Sequence, residues 1–411
     1  KDNGSNIWLL TLRANYLETL GNRKGVRTIA NTQAVTATAK QMWKISALLE
    51  ELNLGLDVTL PLRNGALYTL AQLHIAQENY IDGIKLVAVC DINENKAKKI
   101  SSKFSIPYFT EMHKMMSTIE TDVIVILTPS GMHADHVIQL SKYKCDIIVE
   151  KPMALNLEDA DLMIEACQKN NVKLFVVKQN RFNKPILKLR EAIEKKYFGK
   201  LVLATIRVRW ARHQKYYDND SWRGTWLLDG GVIGNQASHH IDMLEWMMGD
   251  IHSVFSKTNT ALADIEAEDT ALAIIKFKNG ALGIIEATTA TRPKNLEGSI
   301  SILGEKGVVV VGGIAMNKLE TWRFEGKEND IITEEFNENP TDVYGFGHQS
   351  FYQHVLNCLK NNEKILVDGN EAKKSIMLVN AMYESDEKGK EILMKNSKGS
   401  SRLGKKNDKR L

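Results

Sequence analysis

The chain of 411 residues has few cysteines and almost no excess of charge of either sign. Its four cysteines are scattered and show no metal-ligand spacing, which argues against a disulfide framework and against a cysteine metal site. The 54 basic and 50 acidic residues leave a net charge of only +4, too little to indicate nucleic-acid binding. Scattered cysteines are typical of reduced proteins, so we expect a cytoplasmic location.

Long apolar runs are also missing. No run approaches the roughly 20 residues that a membrane-spanning helix requires, so we expect no membrane span. The apolar residues 7–10 are too few for a signal peptide. Apolar residues make up 43% of the chain and charged residues 25%, which is ordinary for a globular protein long enough for two domains.

Short apolar runs alternate with amphipathic segments in the first half. Strands are predicted at 85–90, 123–127, 146–149 and 173–178, with helices at 94–104, 133–142 and 157–170. This alternation predicts βαβ units and a doubly wound parallel sheet, an α/β fold of Rossmann type.

The pattern changes after Arg181. A long alternating strand is predicted at 201–212, a hairpin at 270–277 and 282–290 around Asn279-Gly280, and a second pair at 299–303 and 308–311. This half is therefore predicted to be an α+β domain with a large open antiparallel sheet, closed by helices at 346–361 and 371–392.

The predicted domain organisation has five parts. They are an unassigned extension at 1–56, a dinucleotide-binding domain at 57–178, an α+β domain for substrate and oligomerisation at 179–370, a closing helix at 371–395 and a basic tail at 396–411. The extension is expected to be dispensable for the rest of the fold. The tail carries six Lys or Arg and one Asp between 398 and 410, which predicts a solvated or partner-touching terminus.

Two motifs carry candidate chemistry. A glycine-rich turn at 230–234 leads into a helix on which Asn235, His239 and Asp242 share one face, and such a polar face is unusual for a core helix. Far upstream, Glu150-Lys151-Pro152 follows a predicted strand. A lysine there lies at the carboxyl end of a parallel strand, where open α/β sheets bind ligands.

Together these motifs resemble the Gfo/Idh/MocA oxidoreductases. The resemblance covers about residues 65–395 and includes the stretches 127–133, 176–183 and 343–348. It implies that Lys151 and His239 are the active-site pair, with Asn235 in place of the aspartate of a D-x-x-x-H helix. His239 is the candidate base and Lys151 the second candidate. Because Asn235 carries no charge, Lys151 is expected to have a larger share of the catalysis than in family members with the aspartate.

The resemblance also implies NAD as cofactor. The expected cofactor-binding residues are Gly65, Asp91, Thr128, Pro129, His133, Glu150 and Lys151. Asp91 directly follows the strand predicted at 85–90 and is itself followed by Ile92 rather than arginine. An acidic residue without a neighbouring arginine favours the free ribose of NAD over the phosphorylated ribose of NADP.

The glycine turn of the cofactor site departs from the pattern. Tyr68 stands where a glycine would let the backbone approach phosphate, and Pro61 interrupts the preceding strand. Two interpretations remain open: a real but weak NAD site, or a coding sequence that has been shifted or spliced upstream of about residue 78.

Within the family, residues 222–226 and Asn235-Gln236 look like the branch that oxidises UDP-N-acetylglucosaminuronate at C3' for surface-polysaccharide biosynthesis. The expected substrate residues are Arg181, Trp222, Arg223, Asn235, Gln236, Tyr344 and His348, and no metal is expected. Arginine suits the phosphates and carboxylate of such a substrate. The alternatives are a dehydrogenase of another sugar or polyol and a non-catalytic relative that has lost NAD. The resemblance further implies a homo-oligomer, either a dimer or a tetramer.

Overall fold

The computed structural model describes residues 9–14, 81, 83–326, 332–338 and 346–405. The first of its two sheets has the strand order β3-β2-β1-β4-β5-β6. Its strands are β1 Leu9–Ala14, β2 Ile84–Cys90, β3 Tyr108–Phe109, β4 Val123–Ile126, β5 Asp146–Val149 and β6 Leu174–Val176. The helices that accompany it are α1 Glu94–Phe104, α2 Met112–Thr118, α3 His133–Leu140 and α4 Leu157–Asn170.

Strands β2 to β6 form the predicted doubly wound sheet. The pairs β2–β3, β4–β5 and β5–β6 are parallel. All four residues of β4 are buried, as the strands of a sheet covered on both faces must be. The parallel strands therefore end at one edge, where Asp91, Thr128 and Glu150 follow β2, β4 and β5.

Strand β1 differs from the expected pattern. It pairs antiparallel with β2, Leu9 opposite Cys90, and antiparallel with β4, Leu9 opposite Ile126. Its backbone supplies hydrogen bonds that β2 and β4 would otherwise lack at the centre of the sheet. Leu9–Ala14 therefore belongs to the first sheet rather than to a separate extension, and the sheet is mixed rather than wholly parallel. That residues 1–56 are dispensable stays a prediction.

The second sheet has the strand order β13-β12-β11-β7-β10-β9-β8-β14. Its strands are β7 Leu201–Arg209, β8 Ile251–Asn259, β9 Thr270–Phe277, β10 Leu282–Thr288, β11 Glu297–Gly304, β12 Gly307–Gly312, β13 Lys318–Phe324 and β14 Ile392–Leu393. Its helices are α5 Lys184–Glu194, α6 Gln214–Asp218, α7 Ser238–Met248, α8 Ile332–Glu335, α9 Gly347–Lys360 and α10 Gly369–Lys388.

This sheet is mixed, which corrects the predicted antiparallel sheet. Strand β10 runs parallel to β7, with Leu282 opposite Leu203, and the other pairs are antiparallel. The predicted hairpin at Asn279-Gly280 is present, and Gly280 adopts a φ of +89° there. The long connection after β7 inserts α7 and two strands before β10, so β10 returns beside β7 in the same direction.

The basic tail packs on the fold as far as residue 405. The Glu384 carboxylate accepts hydrogen bonds from the backbone of Lys398 and Gly399 at 2.9 and 3.1 Å. Arg402 pairs with Glu387 at 3.2 Å, and the Leu403 side chain is 1% exposed. The predicted solvated or partner-touching terminus is therefore corrected for Arg402 and Leu403, which pack on the fold because acidic groups on α10 pair with donors of the tail. Lys398 and Lys405 are exposed. Residues 406–411 lie outside the described residues.

We predict that Leu403→Ala lowers the free energy of unfolding by about 2–5 kcal/mol, because it leaves a cavity in the core. Urea unfolding followed by circular dichroism measures the change. The matched control is Leu262→Ala, since the Leu262 side chain is 60% exposed, and its expected effect is within about 0.5 kcal/mol. Equal effects of the two substitutions would show that the tail is not packed.

Candidate active site

The backbone that follows β5 brings Lys151 to the carboxyl edge of the first sheet. Its Nζ donates to Asn235, at 3.1 Å to the side-chain Oδ1 and 3.3 Å to the main-chain oxygen. The side chain is half-buried. Burial lowers the pKa of Lys151, while Glu150 and Asp229 oppose the shift. An amine whose pKa is lowered in this way releases its proton more readily than an exposed lysine.

The predicted glycine-rich turn places Asn235. Residues Val232–Gln236 form a π-type turn before α7. The Tyr383 hydroxyl accepts hydrogen bonds from the backbone of Gly231 and Gly234, at 3.2 and 3.1 Å. A Cβ atom at Gly231 would lie 2.1 Å from the main-chain oxygen of Glu268, so only glycine fits this approach.

His239 lies on the first turn of α7. The Gln179 amide nitrogen donates to its Nε2 at 3.2 Å, which leaves the proton of a neutral ring on Nδ1. Nδ1 is buried and has no hydrogen-bond partner among the described residues. Burial, together with the charges of Lys151 and Lys178, holds the pKa of His239 well below its usual range. His239 is therefore neutral. In this tautomer its role toward a bound molecule is to donate a hydrogen bond from Nδ1 rather than to accept a proton.

Arg181 belongs to a buried ion cluster. Its Nε and Nη2 donate to the Asp242 carboxylate at 2.7 and 2.9 Å, and Nη1 donates to Glu371 at 2.9 Å. Lys178 lies 3.4 Å from the same Asp242 carboxylate. Arg181 is 1% exposed, and its guanidinium stacks on Trp246 at 4.6 Å. The expectation that Arg181 binds substrate is therefore corrected, because its donors are used within the protein.

Arg223 lies in a cluster of aromatic and polar groups. Its guanidinium stacks on Tyr216 at 4.2 Å and on Trp222 at 4.7 Å. Its Nε donates to Asp220 at 3.1 Å, and Gln236 Nε2 donates to the Tyr216 hydroxyl at 2.7 Å. The structure thus brings together three of the predicted substrate residues: Trp222, Arg223 and Gln236. The positive charge of Arg223 also lowers the pKa of Lys151.

The cofactor edge of the first sheet fits a dinucleotide. Asp91 is fully buried at the end of β2, where its Oδ1 accepts from the backbone of Asn93 at 2.7 Å. Its Oδ2 has no hydrogen-bond partner among the described residues. An orphaned carboxylate oxygen at this strand end suits the ribose hydroxyls of a nicotinamide dinucleotide.

His133 links the two loops at this edge. Its Nε2 lies 2.8 Å from the main-chain oxygen of Thr128, and its Nδ1 lies 2.8 Å from that of Pro152. The ring is 1% exposed. Burial lowers the pKa of His133, so the neutral ring donates one hydrogen bond, to the main-chain oxygen of either Thr128 or Pro152. The buried ring lies against both loops, so the expectation that His133 itself binds the cofactor is corrected to a structural role. Pro129 precedes the short turn Ser130–Met132 on the same loop.

Two oxidoreductase family models match this chain. Residues 65–178 match the NAD-binding Rossmann fold of the family, and residues 190–394 match its C-terminal alpha/beta domain. The chain belongs to the Gfo/Idh/MocA oxidoreductase family. Its first domain is a NAD-binding Rossmann domain, so the predicted family, fold class and cofactor are confirmed. The domain boundaries at 57 and 179 stay predictions.

Individual relatives fall into two groups. Myo-inositol 2-dehydrogenase of Thermotoga maritima is 26% identical over 330 residues, which cover 79% of this chain and 95% of the relative. The WlbA dehydrogenase from Bordetella pertussis, solved with NADH and UDP-GlcNAcA, is 40% identical over 78% of this chain and 92% of that chain, with a TM-score of 0.74. WlbA from Chromobacterium violaceum, with the same ligands, is 39% identical over 75% of this chain and 87% of that chain, with a TM-score of 0.70.

The remaining predicted residues have mixed outcomes. His348 is buried, and its Nε2 lies 3.9 Å from Glu150 Oε1, so it faces the Lys151 loop. Tyr344 and Gly65 lie outside the described residues.

No group of three or more potential ligands suited to a metal ion occurs in the described part of the chain. Within the same part, every helix is too short or too polar to cross a membrane.

Sequence reasoning missed three residues at the site. Lys178 and Gln179 lie within the stretch 176–183 that carries part of the family resemblance, so their position was a usable signal. Asp229 precedes the glycine-rich turn and had no periodicity to mark it. Its carboxylate accepts a hydrogen bond from the side chain of Asn235.

We predict that Arg181→Met lowers the free energy of unfolding by about 3–5 kcal/mol, because Asp242 stays buried with less counter-charge. Chemical denaturation measures the loss. Arg190→Met is the matched control, since Arg190 stacks on the same Trp246 ring at 4.9 Å but is part-exposed, and it should cost under about 1 kcal/mol. A raised KM for the sugar with unchanged stability would restore Arg181 as a substrate residue.

We predict that NAD binding strengthens as pH rises through about 7. Burial raises the pKa of Asp91 to about 7, and the ionised carboxylate is the form that accepts both ribose hydroxyls. Calorimetry should show about tenfold tighter binding at pH 8 than at pH 6, and Asp91→Asn should remove this dependence. Asp146→Asn is the control, because Asp146 begins β5 and so lies away from the carboxyl edge of the sheet. This variant should retain the pH dependence of NAD binding. A pH-independent wild-type affinity would contradict the assignment.

Proposed function

We propose that the protein oxidises the C3' hydroxyl of UDP-N-acetylglucosaminuronate with NAD, giving the 3-keto sugar nucleotide used for an amino sugar of surface polysaccharide. One observation carries the proposal. Lys151 is hydrogen-bonded to Asn235, in the turn that leads to His239, in a chain 40% identical to a WlbA solved with NADH and UDP-GlcNAcA. The residues expected at the cofactor are Asp91, Thr128, Pro129, Glu150 and Lys151.

Lys151 is the proposed base. An amine nitrogen has three positions besides its bond to Cε, and Lys151 uses two of them to donate to Asn235. The third holds a lone pair in the neutral amine and a proton in the ammonium. Burial lowers the pKa of Lys151, so the neutral form is more accessible than for an exposed lysine. In that form the third position can accept the proton of the sugar hydroxyl.

His239 is the proposed hydrogen-bond donor. Its Nδ1 proton has no partner among the described residues, and a donor at that place stabilises the oxygen as it loses its proton. When bound, NAD supplies the hydride acceptor. This assignment makes Lys151 the first candidate base instead of His239, because burial and the charges of Lys151 and Lys178 lower the pKa of His239 and disfavour a proton on its ring.

The cluster around Arg223 is the proposed anion site. A guanidinium held between Tyr216 and Trp222 is fixed in orientation, and such a group suits a carboxylate or phosphate. Gln236 and His348 are the other substrate residues that we propose from the described part of the chain.

We propose further that the protein is a homo-oligomer built on the outer face of the second sheet. Adjacent strands expose an apolar patch there, formed by Leu272, Ile274, Leu282 and Ile284, each between 41% and 60% exposed. Ile274 lies opposite Ile284 in the β9–β10 pair. Contiguous apolar patches mark interaction surfaces.

A cytoplasmic location stays a prediction from the cysteine pattern.

A second candidate is the oxidation of a free polyol, favoured by the match over 95% of a myo-inositol 2-dehydrogenase. The third candidate is a non-catalytic relative. It is favoured by the sequence, which has Tyr68 where the cofactor pattern expects a glycine, and by the antiparallel strand β1 in the first sheet.

The substrate test compares NADH formation from UDP-N-acetylglucosaminuronate, UDP-N-acetylglucosamine and myo-inositol. We predict a kcat/KM for the acid at least about 100-fold above that for the sugar nucleotide without the carboxylate, because a site built for a charged group rejects the analogue that lacks it. Faster turnover of myo-inositol would support the polyol candidate. NAD binding without turnover of any of the three would support the non-catalytic one.

We predict that Lys151→Met lowers kcat by about 100-fold or more while the fold is kept, because the proton acceptor is lost. His239→Ala should also lower kcat, and His240→Ala should do so much less. Neighbouring helical residues point about 100° apart, and His240 packs against Trp210 with ring centroids 5.5 Å apart. A Lys151→Met variant that keeps more than about a tenth of wild-type kcat would remove Lys151 from the mechanism.

A further inference from the structure

Asp229 lies directly before the glycine-rich turn and is 3% exposed. Its Oδ2 accepts a hydrogen bond from the backbone of Gly224 at 2.8 Å. Its Oδ1 accepts a hydrogen bond from Asn235 Nδ2. Burying a carboxylate costs free energy unless the group is paired or hydrogen-bonded. One of the two oxygens of Asp229 is bonded to Asn235, the residue that accepts from Lys151.

The Asn235 amide can have only one orientation between these neighbours. Its oxygen accepts from Lys151 Nζ at 3.1 Å, and its nitrogen donates to Asp229. When Lys151 is an ammonium and Asp229 is ionised, the reverse orientation would direct amide hydrogens at a group without an acceptor and the amide oxygen at a group without a donor, so neither side would make a hydrogen bond. Asp229 therefore fixes the side of Asn235 that faces Lys151.

We propose that Asp229 is a positioning residue for Lys151, which orients the amine through the Asn235 amide and supplies the negative charge that Asn235 lacks. The link runs from carboxylate to amide to amine, with no direct contact between Asp229 and Lys151. The proposal rests on the proposed function for the role of Lys151 as a base, and it does not depend on which sugar is oxidised.

Several charged groups act on the two ends of this link. Those that act on Lys151 are Glu150, Asp229, Lys178, Arg223 and the titratable His239. Burial raises the pKa of Asp229 to about 6, against the backbone of Gly224 and the charge of Arg223. Asp229 is thus ionised at neutral pH and favours the ammonium form of Lys151. Its loss should lower the pKa of Lys151.

The direct test measures the pKa of Lys151 without turnover. Trace acetylation with acetic anhydride across pH 6–11, read by mass spectrometry of the peptide that contains Lys151, reports the neutral amine. We expect Asp229→Asn to move the midpoint down by about one pH unit, the size of a charge interaction inside a protein. The exchanged pair Asp229→Asn with Asn235→Asp should move it back to the wild-type value or above.

Glu268→Gln is the matched control. Glu268 is a buried carboxyl that holds the same turn, accepting from the backbone of Ile233 at 2.8 Å and from Tyr383 at 2.9 Å. Its loss should lower stability but leave the Lys151 midpoint in place. A midpoint unchanged in Asp229→Asn, or shifted equally in Glu268→Gln, would overturn the proposal.

Two further readouts keep the result decisive. If Asp229→Asn does not fold, the single variant Asn235→Asp should raise the Lys151 midpoint, and no change there would overturn the proposal. In folded Asp229→Asn we expect kcat to fall at least about fivefold while KM for the sugar changes less than twofold. Because labelling needs no substrate, a shifted midpoint without turnover of the UDP-sugar would contradict the proposed function and leave this inference standing.

Discussion

The hydrogen bonds from Lys151 to Asn235 join the end of a strand in the first sheet to a turn beside the second, across 84 positions of sequence. Without this contact the lysine is a half-buried amine at a sheet edge. With this contact, two positions of the Lys151 amine donate to Asn235, and the third is left to exchange a proton with substrate in the proposed reaction. The π-type turn that carries Asn235 is itself held by Tyr383 on α10. The packing of α10 therefore supports the turn that carries Asn235.

Buried charges set the chemistry around this contact. Asp242 is held by Arg181 and Lys178 and keeps its pKa below the ordinary range, because their attraction outweighs the cost of burial. The positive charge of Lys178 in turn disfavours a proton on His239. Charges interact strongly in such a low-dielectric interior. The ion cluster thus supports the fold, and through Lys178 it adds to the lowering of the His239 pKa that comes first from burial and then from Lys151.

The sequence predicted residues whose role follows from strand ends and helix faces. Asp91 and Lys151 end predicted strands, and His239 begins a helix next to glycines, so local pattern was enough to place them. Arg181 was misassigned because proximity to a motif does not reveal that Asp242, named on the helix face, is its partner. The direction of Leu9–Ala14 and the parallel β7–β10 pair depend on long-range pairing. Periodicity within a segment carries no information about it.

The most direct measurement is the transfer of label from UDP-N-acetylglucosaminuronate that carries deuterium at C3' to the nicotinamide of NAD, read by mass spectrometry of the reduced cofactor. The account predicts reduced cofactor one mass unit heavier with this substrate and of ordinary mass when the deuterium is at C4'. Reduced cofactor of ordinary mass from the C3' substrate, or no reduced cofactor at all, would contradict the claim that this site oxidises the C3' hydroxyl.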